Sequence, residues 1–166
     1  MEKNIVTTKP CKKIVTKDTD GAENGWMLEV ISDRDGFTSG LTGQAYISVA
    51  DVGSKKGYHI HALATYHVTC IKGKVRSTIY MGFGKKNVIE FGDGDYKTIK
   101  YPPCSANLFE NIGDEPAYVM IYRDISWSPD VHEQLDIAPE RIDTKEAWEE
   151  IEAFCGKFKI VKPSVG

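Results

Sequence analysis

The sequence predicts an all-β protein, a sandwich or jelly roll, that ends in a single helix. Apolar and β-branched residues occur in short runs, and Gly, Asp and Pro separate one run from the next. The runs follow each other too closely to leave room for crossover helices between parallel strands. A helical pattern of apolar residues is found only near the C-terminus.

Eight runs are predicted strands, because each is rich in β-branched and aromatic residues and is bounded by turn residues. They span residues 26–31, 44–50, 66–72, 74–81, 87–91, 96–101, 106–111 and 117–124. The joints between them are GFTSG, KGK, GFGKK, GDGD, YPPC and IGDEP. The GFG at 82–84 lacks the GK[ST] ending of a phosphate loop and no helical pattern follows it, so we expect a hairpin turn there.

A helix is predicted over about residues 144–155. Asp143 followed by Glu146 resembles a capping box, and Gly156 marks the end. Five apolar residues then recur on one helical face: Ala147, Trp148, Ile151, Phe154 and Cys155. We expect this face to pack against the outside of the sheet through Trp148 and Phe154.

Composition indicates one globular domain over residues 1–166, with the β-structure over about 25–135. The net charge of −3 argues against nucleic-acid binding, which usually requires a basic face. No apolar run approaches the roughly 20 residues of a membrane helix, and the N-terminus lacks the apolar region of a signal peptide. We therefore expect a cytoplasmic protein that contacts neither nucleic acid nor membrane.

The four cysteines, at positions 11, 70, 104 and 155, are scattered along the chain. They form no CxxC pair and have no short spacing suited to zinc. In a cytoplasmic protein this pattern predicts reduced thiols that mostly fill the core.

Three of the four histidines lie within KGYHIHALATYHVTC, residues 56–70. On a strand, alternate side chains share a face, so His59 and His61 point to the same side and can converge on one ligand. His67 lies beyond the expected turn ALAT, so the alternation of side chains along the first strand does not determine which face His67 occupies. The alternative interpretation is that His59 and His61 are two polar side chains on a solvent-facing strand.

Two motifs resemble those of the cupin superfamily. His59 and His61 form its HxH, and Gly73 follows at the required interval. In the second motif Pro102, Cys104 and Asn111 have the required spacing. The resemblance implies a double-stranded β-helix jelly roll. The remaining two metal-ligand positions, normally Glu and His, hold Tyr66 and Asn107, and neutral amides bind divalent ions weakly. We therefore predict no metal and no cofactor.

Further stretches resemble the dTDP-4-dehydrorhamnose 3,5-epimerase family over most of the chain. GWMLEV (25–30) is similar to its opening motif, Gln44 stands at a substrate-binding glutamine, and KGYH (56–59) is similar to RGLH. Tyr122-Arg123 and SPDVHE (128–133) follow in the same order. KGYHIH with Tyr66 is also similar to the RGxHAH motif of the sugar 3,4-ketoisomerases.

The resemblance implies proton abstraction next to a ketone. His59 would be the base, Tyr122 would return the proton from the opposite face, and His61 would polarise the ketone oxygen or carry a second proton. The alternative role of Tyr122 is an interior side chain with a satisfied hydroxyl. The substrate-binding residues expected from the resemblance and from local charge are Gln44, Lys56, Tyr66, Arg76, Asn107 and Arg123. Tyr46, Trp127 or Phe109 would suit a nucleobase, and nothing in the sequence selects one.

The expected function is a nucleotide-sugar epimerase acting on a dTDP-4-keto-6-deoxyhexose or a similar substrate, in a homodimer. A 3,4-ketoisomerase is the alternative enzyme. The alternative that is not an enzyme is a non-catalytic cupin that binds a small anionic ligand.

Overall fold

The computed structural model describes residues 12–34 and 42–158, and it consists of eleven strands and one helix in these parts of the chain. The strands are β1 Lys12–Lys17, β2 Glu23–Ser32, β3 Gln44–Ala50, β4 Lys55–His61, β5 Tyr66–Lys72, β6 Lys74–Tyr80, β7 Lys86–Gly92, β8 Thr98–Tyr101, β9 Ala106–Asn111, β10 Ala117–Arg123 and β11 Gln134–Asp136. The helix, α1, is Lys145–Gly156.

The strands form two antiparallel sheets that pack face to face as a jelly roll. One sheet has the order β1-β2-β3-β10-β5-β8, and the other has the order β11-β4-β9-β6-β7. Consecutive strands repeatedly belong to different sheets, as in the pairs β3 and β4, β4 and β5, and β5 and β6. This alternation wraps the chain around a common interior.

Apolar side chains fill the interior between the sheets and a second cluster outside it. The interior includes Val68, Val75, Phe91 and Ile121, which come from both sheets. The second cluster lies between the outer face of the five-stranded sheet and α1, where Trp148 and other helix residues cover Tyr58, Ile60, Tyr80, Ala106 and Leu108. Strand β4 is therefore held from outside by the helix, and its other face is turned to the interior.

All eight predicted strands are present, with ends that differ by at most three residues from the prediction. Three further strands are present: β4 is the strand expected for the histidine segment, whereas β1 and β11 lack the alternating apolar pattern that would have revealed them. The GFG segment lies in the predicted hairpin turn, where the amide of Met81 donates to the carbonyl of Lys85 at 2.9 Å. The predicted GFTSG joint and Cys11 lie outside the described residues.

The helix occupies the predicted segment and packs as expected, but its N-cap is Thr144. The Thr144 side chain accepts a hydrogen bond from the amide of Ala147 at 3.2 Å. Asp143, the predicted cap, instead accepts a hydrogen bond of 2.6 Å from the hydroxyl of Tyr80 in the sheet below. Asp143 therefore ties the start of the helix to the sheet. Among the described residues, no helix is long and apolar enough to cross a membrane.

The expectation of reduced thiols is wrong for two of the cysteines. Cys104, in the turn between β8 and β9, forms a disulfide with Cys155 in the last turn of α1. Cys70 is a buried free thiol. We had expected reduced thiols because we expected a cytoplasmic protein. Structural disulfides are uncommon in the reducing cytosol, so the cysteines do not support that expected location.

Candidate functional site

Strand β4 turns its two histidines to the inner side of the sheet. Tyr58 and Ile60 point outward into the cluster under α1, so His59 and His61, which alternate with them, share the opposite face. The ring of His61 lies 4.7 Å from that of Tyr66, a member of the interior core. The expectation that the two imidazoles share one face is confirmed.

Gly57 allows β4 to approach β9 closely just before the histidines. Its φ is +120°, and a Cβ at this position would lie 2.3 Å from the backbone oxygen of Asn107. Any side chain here would push the two strands apart. The register of the two strands also shifts between Lys56 and His59, which re-aims the histidine segment.

His59 is hydrogen-bonded to Asp136 on the neighbouring strand β11. The distance from His59 Nδ1 to Asp136 Oδ1 is 2.7 Å, and Gln134 Nε2 donates to the same oxygen at 2.8 Å. The side chain of His59 is 43% exposed, so the pair lies at the opening of the roll. Partial burial raises the pKa of Asp136, but the hydrogen bond and charge of His59 outweigh it and leave that pKa below its ordinary value.

His61 forms a second, more deeply buried pair with Glu133. The distance from His61 Nδ1 to Glu133 Oε1 is 3.2 Å, and the guanidinium of Arg123 donates to the same oxygen. Burial lowers the pKa of His61 below its ordinary value, against the opposing influence of Glu133. Burial raises the pKa of Glu133, but His61 and Arg123 together bring it below its ordinary value. At neutral pH the arrangement is therefore a neutral imidazole beside an ionised carboxylate and a guanidinium.

The carboxylates determine which ring nitrogen of each histidine is available. Each binds Nδ1, which favours a proton there and leaves the lone pair on Nε2. Neither Nε2 has a hydrogen-bond partner in the described parts of the chain. Both imidazoles can therefore accept a proton through Nε2.

Tyr66 lies beside His61 with a hydroxyl that binds no other described residue. Its ring stacks on Tyr101 with centroids 5.3 Å apart, and the guanidinium of Arg123 is 5.4 Å from the ring centre. The hydroxyl oxygen is buried without a partner, as is Oε2 of Glu133. Burial raises the pKa of Tyr66 well above its ordinary value, so the phenol keeps its proton and is a hydrogen-bond donor.

The residues at the expected metal positions do not fit a divalent ion. Asn107 lies opposite His59 in the β4–β9 pairing, but its amide oxygen accepts a hydrogen bond of 2.7 Å from Ser77. Tyr66 is a protonated phenol at the position where a carboxylate ligand would be required. Within residues 12–34 and 42–158, no three His, Cys, Asp or Glu side chains form a group that could hold a metal ion.

Tyr122 does not lie opposite the histidines as expected. Its neighbours on β10, Ile121 and Arg123, are buried on the inner face, so Tyr122 points to the outer face of the six-stranded sheet. There its hydroxyl donates to the carbonyl of Thr42 at 3.0 Å, and its ring lies 5.9 Å from that of His67. The sheet itself separates this phenol from the histidine pair.

Two of the expected diphosphate ligands are also engaged elsewhere. Lys56 is 7% exposed, and its Nζ donates to Thr16 Oγ1 at 2.7 Å and to Ser48 Oγ at 3.3 Å. Arg76 lies on the outer side of the five-stranded sheet, where it forms ion pairs with Glu90 and Glu110. Neither cation faces the histidines.

Gln44 is on the inner side but serves to connect loops and strands. Its amide nitrogen donates to Glu29, and its amide oxygen accepts from the backbone amide of Trp127 at 3.2 Å. Together with Arg123, which donates to the carbonyl of Ile125 at 2.6 Å, it fixes the segment that follows β10. The structure therefore brings together His59, His61, Tyr66, Asn107 and Arg123, and leaves Tyr122, Lys56 and Arg76 apart from them.

A cleft of about 260 Å³ adjoins the two histidine pairs on their carboxylate side. It is lined by residues 127–129, 132–134 and 136, which include both Glu133 and Asp136. This volume is slightly below the range of typical small-molecule sites. The cleft therefore has room for one ring of a larger ligand.

Glu133 and Asp136 are the residues of the candidate site that sequence reasoning did not select. Each contacts its histidine across more than seventy residues of chain. Glu133 is the last residue of the stretch SPDVHE, which resembles a motif of the epimerase family, and this resemblance was the sequence signal that could have identified it. Asp136 lies on a three-residue strand with no alternating pattern.

Comparison with solved structures assigns the fold. The chain is similar to CapF, a capsular polysaccharide assembling protein from Staphylococcus aureus, with 17% identity and a TM-score of 0.61 over 76% of this chain. It is similar to a cupin-2 domain from Rhodospirillum rubrum, with 14% identity and a TM-score of 0.59 over 92% of this chain and 93% of that one. The fold is a cupin-type jelly roll.

A third cupin-like structure is a dTDP sugar isomerase from Desulfovibrio desulfuricans G20. It is 20% identical, with a TM-score of 0.57 over 83% of this chain and 88% of that one. The present chain spans only about a third (32%) of the length of the CapF chain that it matches. No protein-family model matches the chain, and no curated protein matches it significantly in sequence. These identities establish the fold alone.

Proposed function

We propose that this cupin is an isomerase that moves a proton next to the ketone of a nucleotide-linked 4-keto sugar, with His59 as the base. The observation that carries the proposal is the pair of histidines on one face of β4, each bound through Nδ1 to a carboxylate. A carboxylate at Nδ1 orients the ring and stabilises the imidazolium that forms when Nε2 takes a proton. His59 is the more exposed of the two, at 43% against 13%, and so has the better access to a substrate.

The first step is removal of the C3 proton by His59 Nε2. The electron pair of that C–H bond enters a C3–C4 double bond, and the former ketone oxygen at C4 gains negative charge. The phenol of Tyr66, kept protonated by burial, is the nearby donor for such an oxygen. Asp136 stays ionised and balances the charge on His59.

The second step returns the proton to C4 and moves the ketone to C3. His61, neutral because burial lowers its pKa, accepts the proton of the C3 hydroxyl at Nε2 and passes that proton to the C4 oxygen, which regenerates the neutral imidazole. The imidazolium of His59 then delivers its proton to C4. The substrate and product have the same composition, so no cofactor or co-reactant is consumed.

The orientation of Tyr122 favours this ketone migration over 3,5-epimerisation. Inverting a carbon requires a base on one face of the sugar and an acid on the other. The expected acid, Tyr122, lies behind the six-stranded sheet, whereas both histidines act from one side. Ketone migration needs proton transfer on one face only. The fold-level likeness to a dTDP sugar isomerase supports the same substrate class.

The test is incubation with dTDP-4-keto-6-deoxyglucose in deuterated water, followed by NMR of the sugar. We expect the ketone carbon signal to move from C4 to C3, with any deuterium at C4. A His59→Ala variant should be slower by ~10² or more. A substrate that keeps its C4 ketone and gains deuterium at C3 and C5 would instead establish epimerisation, and the absence of both changes would overturn the proposed activity.

A further inference from the structure

We propose that the turn between β6 and β7 docks on an anionic lipid surface, with two apolar side chains inserted and two lysines against the headgroups. This turn, residues 81–86 with the sequence MGFGKK, is called the β6–β7 tip below. The inference is independent of the proposed isomerase activity. The expectation of no membrane contact rests on the lack of a long apolar run, which a membrane-spanning helix requires and surface docking does not.

The β6–β7 tip presents apolar side chains that neither apolar cluster of the described residues covers. Phe83 is 55% exposed and Met81 is 45% exposed, and both lie outside the interior core and the cluster under α1. Val88, in the first half of β7, is 51% exposed. Single exposed apolar residues are ordinary, but three within eight positions of one hairpin form a local apolar surface that indicates an interaction.

The backbone of the tip is closed by its own hydrogen bonds. The amide of Met81 donates to the carbonyl of Lys85 at 2.9 Å, and the amide of Lys85 donates to the carbonyl of Gly82 at 2.9 Å. Phe83 lies between Gly82 and Gly84, which both have positive φ and supply no side chain beside its ring. The turn therefore holds the aromatic ring at its end with little further ordering needed on docking.

Two lysines directly behind these apolar side chains supply positive charge without an internal counter-charge. Lys85 and Lys86 are exposed, and within residues 12–34 and 42–158 neither forms an ion pair. The Lys86 ammonium lies 5.7 Å from the ring centre of Tyr80, and the carboxylate on β7, Glu90, is engaged by Arg76. Since salt screens more distant charges, the net charge of −3 on the whole chain does not cancel this local positive charge.

The small size of the tip favours a lipid surface over a protein partner. A stable protein interface uses roughly 20 to 30 residues on each side, whereas the tip has six. A bilayer needs no matching shape. It accepts an apolar ring at the boundary of the acyl chains, while the long stems of lysines extend their ammonium groups to the anionic headgroups. Apolar side chains at the end of the hairpin, followed by lysines, match this order of depth.

The tip lies at the same end of the five-stranded sheet as the histidines. In the strand pairings Lys86 is opposite Tyr80, Tyr80 is opposite Ala106, and Ala106 is opposite Ile60, which precedes His61. Docking through the tip therefore turns the histidine end of β4 towards the lipid surface.

The experiment is co-sedimentation of the protein with lipid vesicles. One set contains phosphatidylcholine alone, and the other contains equal parts of phosphatidylcholine and phosphatidylserine. We expect binding to the second set only, and its loss at molar salt, because salt screens the lysines. Phe83→Ala should weaken binding by roughly tenfold, the effect of losing the inserted ring. Lys85→Gln combined with Lys86→Gln should weaken it by roughly tenfold or more.

Matched controls separate the tip from the rest of the surface. Tyr96→Ala removes a ring that is 63% exposed beyond the other end of β7, and Lys17→Gln combined with Lys100→Gln removes two exposed lysines of the six-stranded sheet. Both should bind the vesicles unchanged. Phe83→Trp keeps an aromatic ring and should bind at least as tightly as the original protein. Its fluorescence should shift to shorter wavelength when anionic vesicles are added, and that of Tyr96→Trp should not.

Three results would overturn the inference. The first is no sedimentation with phosphatidylserine vesicles at millimolar lipid, and the second is equal sedimentation of the original protein and the Phe83→Ala variant. The third is binding to soluble polyglutamate that depends on the two lysines, without vesicle binding, which would assign the tip to an acidic protein surface. No keto sugar enters these measurements, so a failure of the proposed isomerase leaves the inference intact, and an active isomerase that ignores vesicles refutes only the docking.

Discussion

Asp136 determines whether His59 can work as a base, because its carboxylate holds the Nδ1 side of the ring at 2.7 Å. With a proton fixed at Nδ1, the lone pair of Nε2 is directed away from the carboxylate. Gln134 donates to the same oxygen and so restrains Asp136 in turn. His59, Asp136 and Gln134 therefore form a hydrogen-bonded chain of three side chains that connects β4 to β11.

Replacing Asp136 by Asn should lower kcat for the keto sugar by ~10² to ~10⁴ and leave KM nearly unchanged. The amide keeps the shape of the carboxylate but cannot balance the imidazolium charge. Asp136→Glu, which keeps the charge, should restore part of the activity. A pH titration by NMR adds a second readout: the Asp136 carboxyl should titrate at higher pH in His59→Ala than in the original protein, because His59 holds its pKa down.

Asp114→Asn is the matched control for this change. Asp114 lies in the turn that precedes β10, at the opposite end of that strand from Arg123, and its side chain is exposed. Its loss of charge should not affect turnover. An Asp136→Asn variant with normal kcat would mean that the carboxylate has only a structural role.

The residues of the site were predictable to different degrees. The HxH spacing alone placed His59 and His61 on one face, because alternation along a strand is a local property. The orientation of Tyr122 was not predictable from the matched motif, since a motif records order along the chain and not the face of the sheet. Asp136 and Glu133 reach the histidines through tertiary packing; the matched stretch SPDVHE includes Glu133 but does not record its contact with His61, and Asp136 lies in no matched stretch.

At the scale of elements, α1 and the disulfide hold the outer side of the strand that carries the histidines. The helix covers Tyr58 and Ile60, the outward neighbours of His59. Cys155 links its last turn to Cys104, whose amide donates to the carbonyl of His61 at 2.8 Å. The position of the helix was predictable from its apolar face, whereas the disulfide joins residues 51 positions apart and has no local pattern.

Replacing Cys155 by Ser should lower the free energy of unfolding by about 2 to 4 kcal/mol, because the unfolded chain is no longer restricted by the crosslink. Urea unfolding under non-reducing conditions measures the change. Reduction of the original protein should produce a similar loss, and reduction of Cys155→Ser should produce none. If a reductant leaves the urea midpoint of the original protein unchanged, the crosslink does not contribute to stability.

At the scale of the whole molecule, the interior of the jelly roll contains an apolar core and a buried polar group formed by His61, Glu133 and Arg123. In this group the buried charges of Glu133 and Arg123 form an ion pair, and His61 is hydrogen-bonded to Glu133, so each buried charge has a partner of opposite sign. The fold class was predictable because turn residues divide the chain into short strands. The homodimer stays a prediction. If it forms, we expect the contact between subunits on the outer face of the six-stranded sheet, where Val30, Ile71 and Met120 are exposed.

Lys56 is the exception to this balance, because it is buried with hydroxyl and carbonyl partners and without a carboxylate in hydrogen-bond contact. Burial lowers its pKa from 10.5 to about 8, and the more distant charge of Asp51 opposes the change. Between pH 8 and 10.5 the unfolded chain therefore holds a proton that the folded chain has released. The contribution of Lys56 to the free energy of unfolding therefore rises with pH across this window.

Urea unfolding of the original protein and of Lys56→Met at pH 7, 8, 9 and 10 should measure this rise. Relative to the variant, the original protein should gain up to about 3 kcal/mol between pH 8 and 10.5, since each pKa unit corresponds to about 1.4 kcal/mol. Ionisation of tyrosines affects both proteins alike and cancels in the difference. Lys55→Met, which removes an exposed neighbouring lysine, should give no such divergence. Parallel pH curves for the original protein and Lys56→Met would mean that Lys56 keeps its ordinary pKa and that the interior of the roll is open to water at this point.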